Sequence, residues 1–189
     1  MKKFVTLLII ILIGCVIAGL YGIIHDQLTY TISPEYYTKF KFYQFGLADE
    51  GNEAIFPSPR LWVSLVGFMA TWWTGIPIAL ILGLFSLHPD RRPMINMAMK
   101  GVLVTITIAF LTGMYGLYEG FTHLANQPKE NFGRWFIPEN LVDFKSFIAV
   151  GAMHNHSYLG AFYGLFFGVA YIGWRKGMIK IRKRVKVSA

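Results

Sequence analysis

Four long apolar runs constrain this chain more than any other feature. They cover about residues 4–24, 61–87, 97–118 and 147–174, and the first two contain no charged side chain. A helix needs roughly 20 mostly apolar residues to cross the hydrocarbon core of a bilayer. The sequence therefore predicts an all-α membrane protein, a bundle of four transmembrane helices in a single membrane domain that covers residues 1–189.

The distribution of lysine and arginine indicates how these helices are oriented. With the N-terminus in the cytoplasm, twelve of the eighteen basic residues lie on the inner side, and Asp90 is the only one of the ten acids there. The inner side then carries a net charge of +11 and the outer side −3, as the positive-inside rule requires. We predict a bacterial inner-membrane protein with both termini in the cytoplasm, outer segments at residues 25–60 and 119–146, and a basic tail at 175–189.

The basic tail predicts contact with lipid rather than with nucleic acid. Lysine and arginine next to a transmembrane helix are attracted to the anionic lipids of the inner leaflet. The expected partners are therefore the bilayer and those lipids, with no nucleic acid. A homo-oligomer and a partner subunit both stay open.

The start of the chain allows two interpretations. Two lysines followed by an apolar run resemble a signal peptide, and residues 12–15 resemble a bacterial lipoprotein cleavage box that ends in Cys15. The apolar run continues nine residues beyond Cys15, which is long enough to span a bilayer. We favour a first helix that is retained over one that is processed at Cys15.

Two local patterns predict departures from plain transmembrane helices. Residues 27–33 and 39–42 alternate between apolar and polar side chains, and Pro34 between them suits the first position of a helix. We expect a small outer lid that contains a short two-stranded hairpin. Within the second span, Pro77 is expected to kink the helix and to free the carbonyl of Trp73.

Four of the five histidines fall at the outer ends of the predicted helices. Asp26 adjoins one of them, and Glu119 stands one helical turn before another. The predicted topology brings these residues to one membrane level, although they lie far apart in the sequence. The four histidines are His25, His123, His154 and His156.

Imidazole and carboxylate groups gathered at one level predict a metal site. Neutral imidazole with carboxylate suits zinc, iron, manganese or copper, and the single cysteine argues against a thiolate site. Glu119 and His123 share a helix face at i, i+4 spacing, as a metal-binding pair does, although a helix-end hydrogen bond is the alternative. His154 and His156, at i, i+2, point about 200° apart on a regular helix, so either they have different roles or the helix breaks there. The expected ligands are His25, Glu119, His123, His154 and His156, with Asp26 and Glu35 as groups that orient ligands or move protons.

Two other functions stay open. Haem is the alternative cofactor, held between His25 and either His154 or His156 in a redox subunit. The chain is otherwise a non-catalytic membrane subunit or a small transporter, although the absence of an acidic residue at mid-span counts against transport. We find no phosphate loop, no serine nucleophile elbow and no His-Glu-x-x-His motif, so the sequence leaves open whether the protein is an enzyme.

Two stretches of the chain resemble a pattern in small uncharacterised bacterial membrane proteins. They are the H-D-Q-x-T…I-S-P-E-Y pattern within residues 21–37 and H-N-H-S-Y-L-G at 154–160. The resemblance implies an inner-membrane protein of this topology and implies no activity. It draws attention to one set of residues: His25, Asp26, Glu35, His154 and His156.

Overall fold

The computed structural model describes residues 2–49, 51–133 and 135–187, and its regular secondary structure is helical throughout. The α-helices are α1 (Lys2–Ile32), α2 (Pro34–Tyr36), α3 (Phe42–Gln44), α4 (Pro59–Thr71), α5 (Gly75–Phe85), α6 (Arg91–Thr122) and α7 (Phe144–Val187). A π-helical turn, Tyr37–Lys41, joins α2 to α3. Short 3-10 turns occur at Trp72–Thr74, Leu124–Asn126 and Lys129–Phe132.

Three helical stretches are long and apolar enough to cross a membrane, Lys2–Ile32, Pro59–Phe85 and Arg91–Asn126. They coincide with the first three apolar runs, so the all-helical class and the membrane-compatible helices are confirmed. The fourth run lies in α7, whose described residues are not among these three stretches. The fourth span therefore stays a prediction.

Helix α1 crosses α4 and α5 at points where glycines meet. A Cβ atom placed on Gly67 would lie 2.6 Å from the carbonyl oxygen of Gly22, and one on Gly75 would lie 2.5 Å from that of Gly14. Small residues let membrane helices approach this closely, and a larger side chain would force them apart. The Cβ of Asp26 lies in the same crowded contact, beside Gly67, so this carboxylate is held against α4.

Helix α7 packs along α6 through glycines spaced four residues apart. A Cβ on Gly164 would lie 2.7 Å from the carbonyl oxygen of Thr105, and one on Gly168 would lie 2.9 Å from that of Gly101. The hydroxyl of Thr105 also donates a hydrogen bond to the carbonyl of Gly164, at 3.1 Å. This close contact sets the rotation of α7 about its own axis and with it the direction of each α7 side chain.

The predicted interruption of the second span is present. Helix α4 ends at Thr71 and α5 begins at Gly75, with one 3-10 turn between them. Pro77 has no N–H to donate to the carbonyl of Trp73, and its ring crowds that carbonyl. The regular helical ladder therefore cannot continue through this turn.

The described residues of the segments 33–58 and 123–143 form one layer, here called the cap, at the end of the bundle where α1 ends and α4 and α7 begin. Tyr36, Tyr37 and Phe42 of the first segment share a buried core with Phe132 of the second and with Phe147 of α7. The two segments are thus a single packed unit rather than two independent loops.

The predicted two-stranded hairpin is wrong. The described residues contain no strand, because residues 27–32 continue α1 and residues 37–41 form the π-helical turn. The hydroxyl of Thr29 donates to the carbonyl of His25 one turn back, at 3.1 Å, and lies 2.6 Å from the hydroxyl of the fully buried Tyr37. An alternating run as short as residues 27–33 does not exclude a helix, and packing against the cap selects the helix.

Candidate metal centre

Two histidines and one aspartate meet where α1 and α7 reach the cap. His25 and Asp26 lie in the last turns of α1, His154 lies near the start of α7, and all three side chains are buried. Each offers one donor atom, and these atoms lie within 4.8 Å of one another. The group can therefore hold a metal ion, and two imidazoles with a carboxylate suit several transition metals equally well.

The hydrogen bonds of His154 fix which of its nitrogens faces the group. Nδ1 lies 2.9 Å from the carbonyl oxygen of Val150, and only an N–H can donate to that oxygen. The neutral ring then presents a lone pair at Nε2, which lies 3.3 Å from Oδ1 of Asp26. Two acceptors that face each other in a buried site repel, so a cation or a proton is required beside them.

Lys41 supplies a positive charge at this point. Its Nζ lies 2.8 Å from Oδ2 of Asp26 and 3.0 Å from Nε2 of His154, and the side chain is buried. Burial lowers the pKa of Lys41, and the Asp26 carboxylate opposes that shift. The residue comes from the π-helical turn of the cap, a local structure that often occurs at functional sites.

His25 and Tyr36 complete the surroundings of the group. His25 places Nδ1 3.3 Å from Oδ1 of Asp26 and Nε2 3.1 Å from the hydroxyl of Ser157 on α7. The rings of His25 and His154 meet edge to face with centroids 4.6 Å apart. Tyr36 stacks on His154 at 4.8 Å and covers the group from the cap side.

An apolar cavity of about 340 Å³ extends from this group into the bundle. Its walls come from α1, from the interrupted second span, from α6 and from α7, and most of them are aliphatic or aromatic. The charged and imidazole side chains that line it are those of Lys41 and of His25, Asp26 and His154, the three residues here called the metal group. The group is thus the polar end of an otherwise apolar space.

The structure places the remaining predicted ligands elsewhere. Glu119 pairs with His156 across the contact of α6 and α7, with Oε2 3.0 Å from Nε2, while Nδ1 of His156 donates to the carbonyl of Ala152. His123 is exposed at the end of α6. Neither histidine nor Glu119 joins the group of three donors found among the described residues.

Glu35 connects the two segments of the cap. Its carboxylate accepts hydrogen bonds from the ammonium of Lys39 and from the backbone N–H groups of Val142, at 3.0 Å, and Asp143, at 2.6 Å. Burial disfavours its ionised form, but these hydrogen bonds outweigh that effect and lower the pKa of Glu35. Its described contacts hold the cap together and do not reach the metal group.

Sequence reasoning missed two residues of the site. Ser157 follows His154 by three residues and so shares its helix face. This spacing could have indicated that Ser157 also faces the site. Lys41 gives no such signal, because it stands far from Asp26 and His154 in the sequence and in a segment that looked like a strand.

Comparison with known proteins yields no relative: no family model, no curated protein and no solved structure matches this chain. The geometry of His25, Asp26, Lys41 and His154 therefore carries the functional interpretation.

Proposed function

We propose that this chain is a multi-pass protein of the bacterial inner membrane, with four transmembrane helices, cytoplasmic termini and the cap on the outer face. Three apolar helices support this placement, as does the excess of basic residues at the opposite end of the bundle. Helix α7 is 44 residues long and packs along α6, so its length suffices for the fourth span. Single cysteines placed in the cap and in the tail test the orientation. A membrane-impermeant reagent should label only the cap in intact cells, and labelling of the tail would contradict it.

At its outer face, in this proposal, the protein binds one transition metal ion (zinc, iron or copper) through His25, Asp26 and His154. The observation that carries the proposal is the pair of facing acceptors, His154 Nε2 and Asp26 Oδ1, 3.3 Å apart in a buried site. Such a pair needs a cation or a proton beside it, and a metal ion bound by both atoms meets that need. The hydrogen bond from His154 Nδ1 to a backbone carbonyl is also the usual way in which proteins orient a metal-binding imidazole.

Three protein donors suit a reactive metal centre rather than a closed structural one. Catalytic zinc sites use three protein ligands and keep one position for water or substrate, whereas structural sites use four. A metal at this group would supply a Lewis acid next to the apolar cavity. Ser157, through its contact with His25, holds that ring in place. The proposal therefore extends to a metal-dependent enzyme.

Lys41 favours a second candidate, a metal-free site that handles protons. Its ammonium already lies between the acceptors of Asp26 and His154, at 2.8 and 3.0 Å. A buried Lys–Asp–His cluster at the end of a cavity can hold or transfer a proton without a metal. The two candidates predict opposite effects of removing the lysine charge.

Nothing in the cluster favours the haem alternative. The rings of His25 and His154 touch edge to face, with centroids 4.6 Å apart, which leaves no room for a macrocycle between them. A colourless purified protein without a Soret band would agree with this argument.

Elemental analysis of the protein purified in detergent tests the metal proposal. After incubation with zinc, iron or copper and removal of free ions, we expect one ion per chain. His154→Ala should lose it, whereas His156→Ala, a matched change two residues away in the same helix, should retain it. Metal at background level in the parent protein, or an equal loss in both variants, would refute the proposal.

A further inference from the structure

We propose that the cavity binds a single hydrocarbon chain that ends in an oxygen acceptor, with this polar end at the metal group. The inference rests on the proposed placement in a membrane but requires no metal. It adds a ligand class, a lipid acyl chain, to the site.

The shape of the cavity suits an extended chain. Its lining on α1 runs from Gly14 to Asp26, twelve residues apart, which at 1.5 Å per residue is about 18 Å along the helix. Its lining on α7 runs about 16 Å from His154 to Leu165, away from the cap. A volume of about 340 Å³ spread over this length makes the cavity elongated, a shape that accommodates an extended hydrocarbon chain.

The cavity reaches the side of the bundle that would face lipid. Trp73, Tyr158 and Phe162 line it and are also 54%, 50% and 57% exposed. They belong to the interrupted turn of the second span and to α7, so the opening lies between these two elements. A molecule dissolved in the membrane can enter there without crossing water.

The polar end carries a hydrogen-bond donor that lacks an acceptor. The hydroxyl of Tyr21 is buried beside that of Ser157, which makes only a weak contact with it, and no described residue gives it a hydrogen bond of normal geometry. A buried hydroxyl without a partner costs free energy, and an acceptor oxygen in the cavity would remove that cost. The Lys41 ammonium lines the same end. A carboxylate and an ester carbonyl both satisfy this arrangement, so the source is either a free fatty acid or the acyl chain of a lipid.

Photo-crosslinking tests the inference on the full chain in lipid nanodiscs with EDTA present. The probes are a palmitic acid with a diazirine near the far end of its chain and the methyl ester of the same molecule. We expect labelled peptides that contain cavity residues of α1 and α7, and loss of this labelling with excess unlabelled palmitate or methyl palmitate. Stronger labelling by the acid assigns a free fatty acid, and stronger labelling by the ester assigns an acyl lipid.

Two variants and one control separate the cavity from the lipid-facing surface. Ala161→Phe fills the cavity and should abolish the labelling, whereas Ala170→Phe on the same helix, outside the lining, should not. Tyr21→Phe removes one hydrogen bond and should weaken labelling about fivefold. Labelling that is confined to lipid-facing residues such as Phe110, or that is unchanged by Ala161→Phe, would overturn the inference. Because EDTA removes metal throughout, these results are independent of the metal analysis.

Discussion

Replacing Lys41 with methionine distinguishes a metal site from a metal-free ion pair. In the structure the Lys41 ammonium contacts both Asp26 and His154, two of the three proposed metal ligands. A metal ion at these atoms must displace that positive charge or force it to lose its proton. Lys41→Met removes the competing cation and keeps an apolar side chain of similar length, so we expect metal to bind more tightly.

The size of the effect follows from the cost of displacing the ammonium. Two unit charges about 4 Å apart repel by about 4 kcal/mol at an effective dielectric constant of 20. Deprotonating a lysine of pKa 10.5 at pH 7.5 also costs about 4 kcal/mol, and burial lowers the pKa of Lys41 below that value. Lys41 can lose its proton when this costs less free energy than the repulsion. Replacing Lys41 with methionine therefore raises the metal affinity by at most about a thousandfold, and we expect at least about tenfold.

Competition with a chelator of known affinity measures this change in the detergent-purified protein. Lys39→Met is the matched control for loss of a buried lysine from the same π-helical turn. It leaves the group itself untouched and, because it removes the contact with Glu35, measures how much of the change comes from loosening the cap alone. A folded Lys41→Met variant that binds metal no more tightly than the parent would refute the argument. If it binds no metal and is less stable, the metal-free candidate is correct, because Asp26 is then left as an unpaired buried charge.

Three further predictions address the site, the cap and the bundle. Asp26→Asn should lower metal content to background, whereas Glu119→Gln, in the separate pair on α6, should leave it unchanged; elemental analysis measures both. The pKa of Glu35 is lowered in the folded protein, so its stabilisation of the cap is complete above its ordinary pKa of 4.5 and is lost as pH falls through the lowered value. Thermal unfolding at pH 7 and pH 3, followed by tryptophan fluorescence, should show a smaller pH difference in Glu35→Gln. Gly164→Ala should cost about 1–3 kcal/mol because its Cβ meets a backbone carbonyl, whereas Gly173→Ala, in open space, should not lower the unfolding midpoint.

The sequence predicted the helices well because apolar length is a local property. The first apolar run ended at about residue 24 in that prediction, and the helix continues to Ile32. The added turns contain the polar residues of the site, whose composition is not apolar and whose helicity depends on packing against the cap. Local pattern alone cannot show this, since a tertiary contact such as that of Thr29 with Tyr37 decides between helix and strand.

The gathering of His25 and His154 was expected from topology, because helix ends at one membrane level meet. The sequence did not predict which of these side chains pair with one another. Glu119 was expected to act with His123 along one helix face, but α7 packs so closely on α6 that His156 reaches Glu119 first. Such choices depend on helix rotation, which the glycine contacts set, and no periodicity in the sequence gives that angle.

The delivery of Lys41 by the cap has a thermodynamic consequence. The bundle provides the acceptors and a separate layer provides the cation, so the seating of that layer and the charge balance of the buried group are one coupled equilibrium. By linkage, the two effects are reciprocal. A cation that displaces the ammonium weakens the attachment of the cap to the bundle, and a cap that is already loosened favours the binding of that cation by the same free energy. In the proposed placement, protection of the cap against proteolysis or hydrogen exchange should then report occupancy of the proposed metal site.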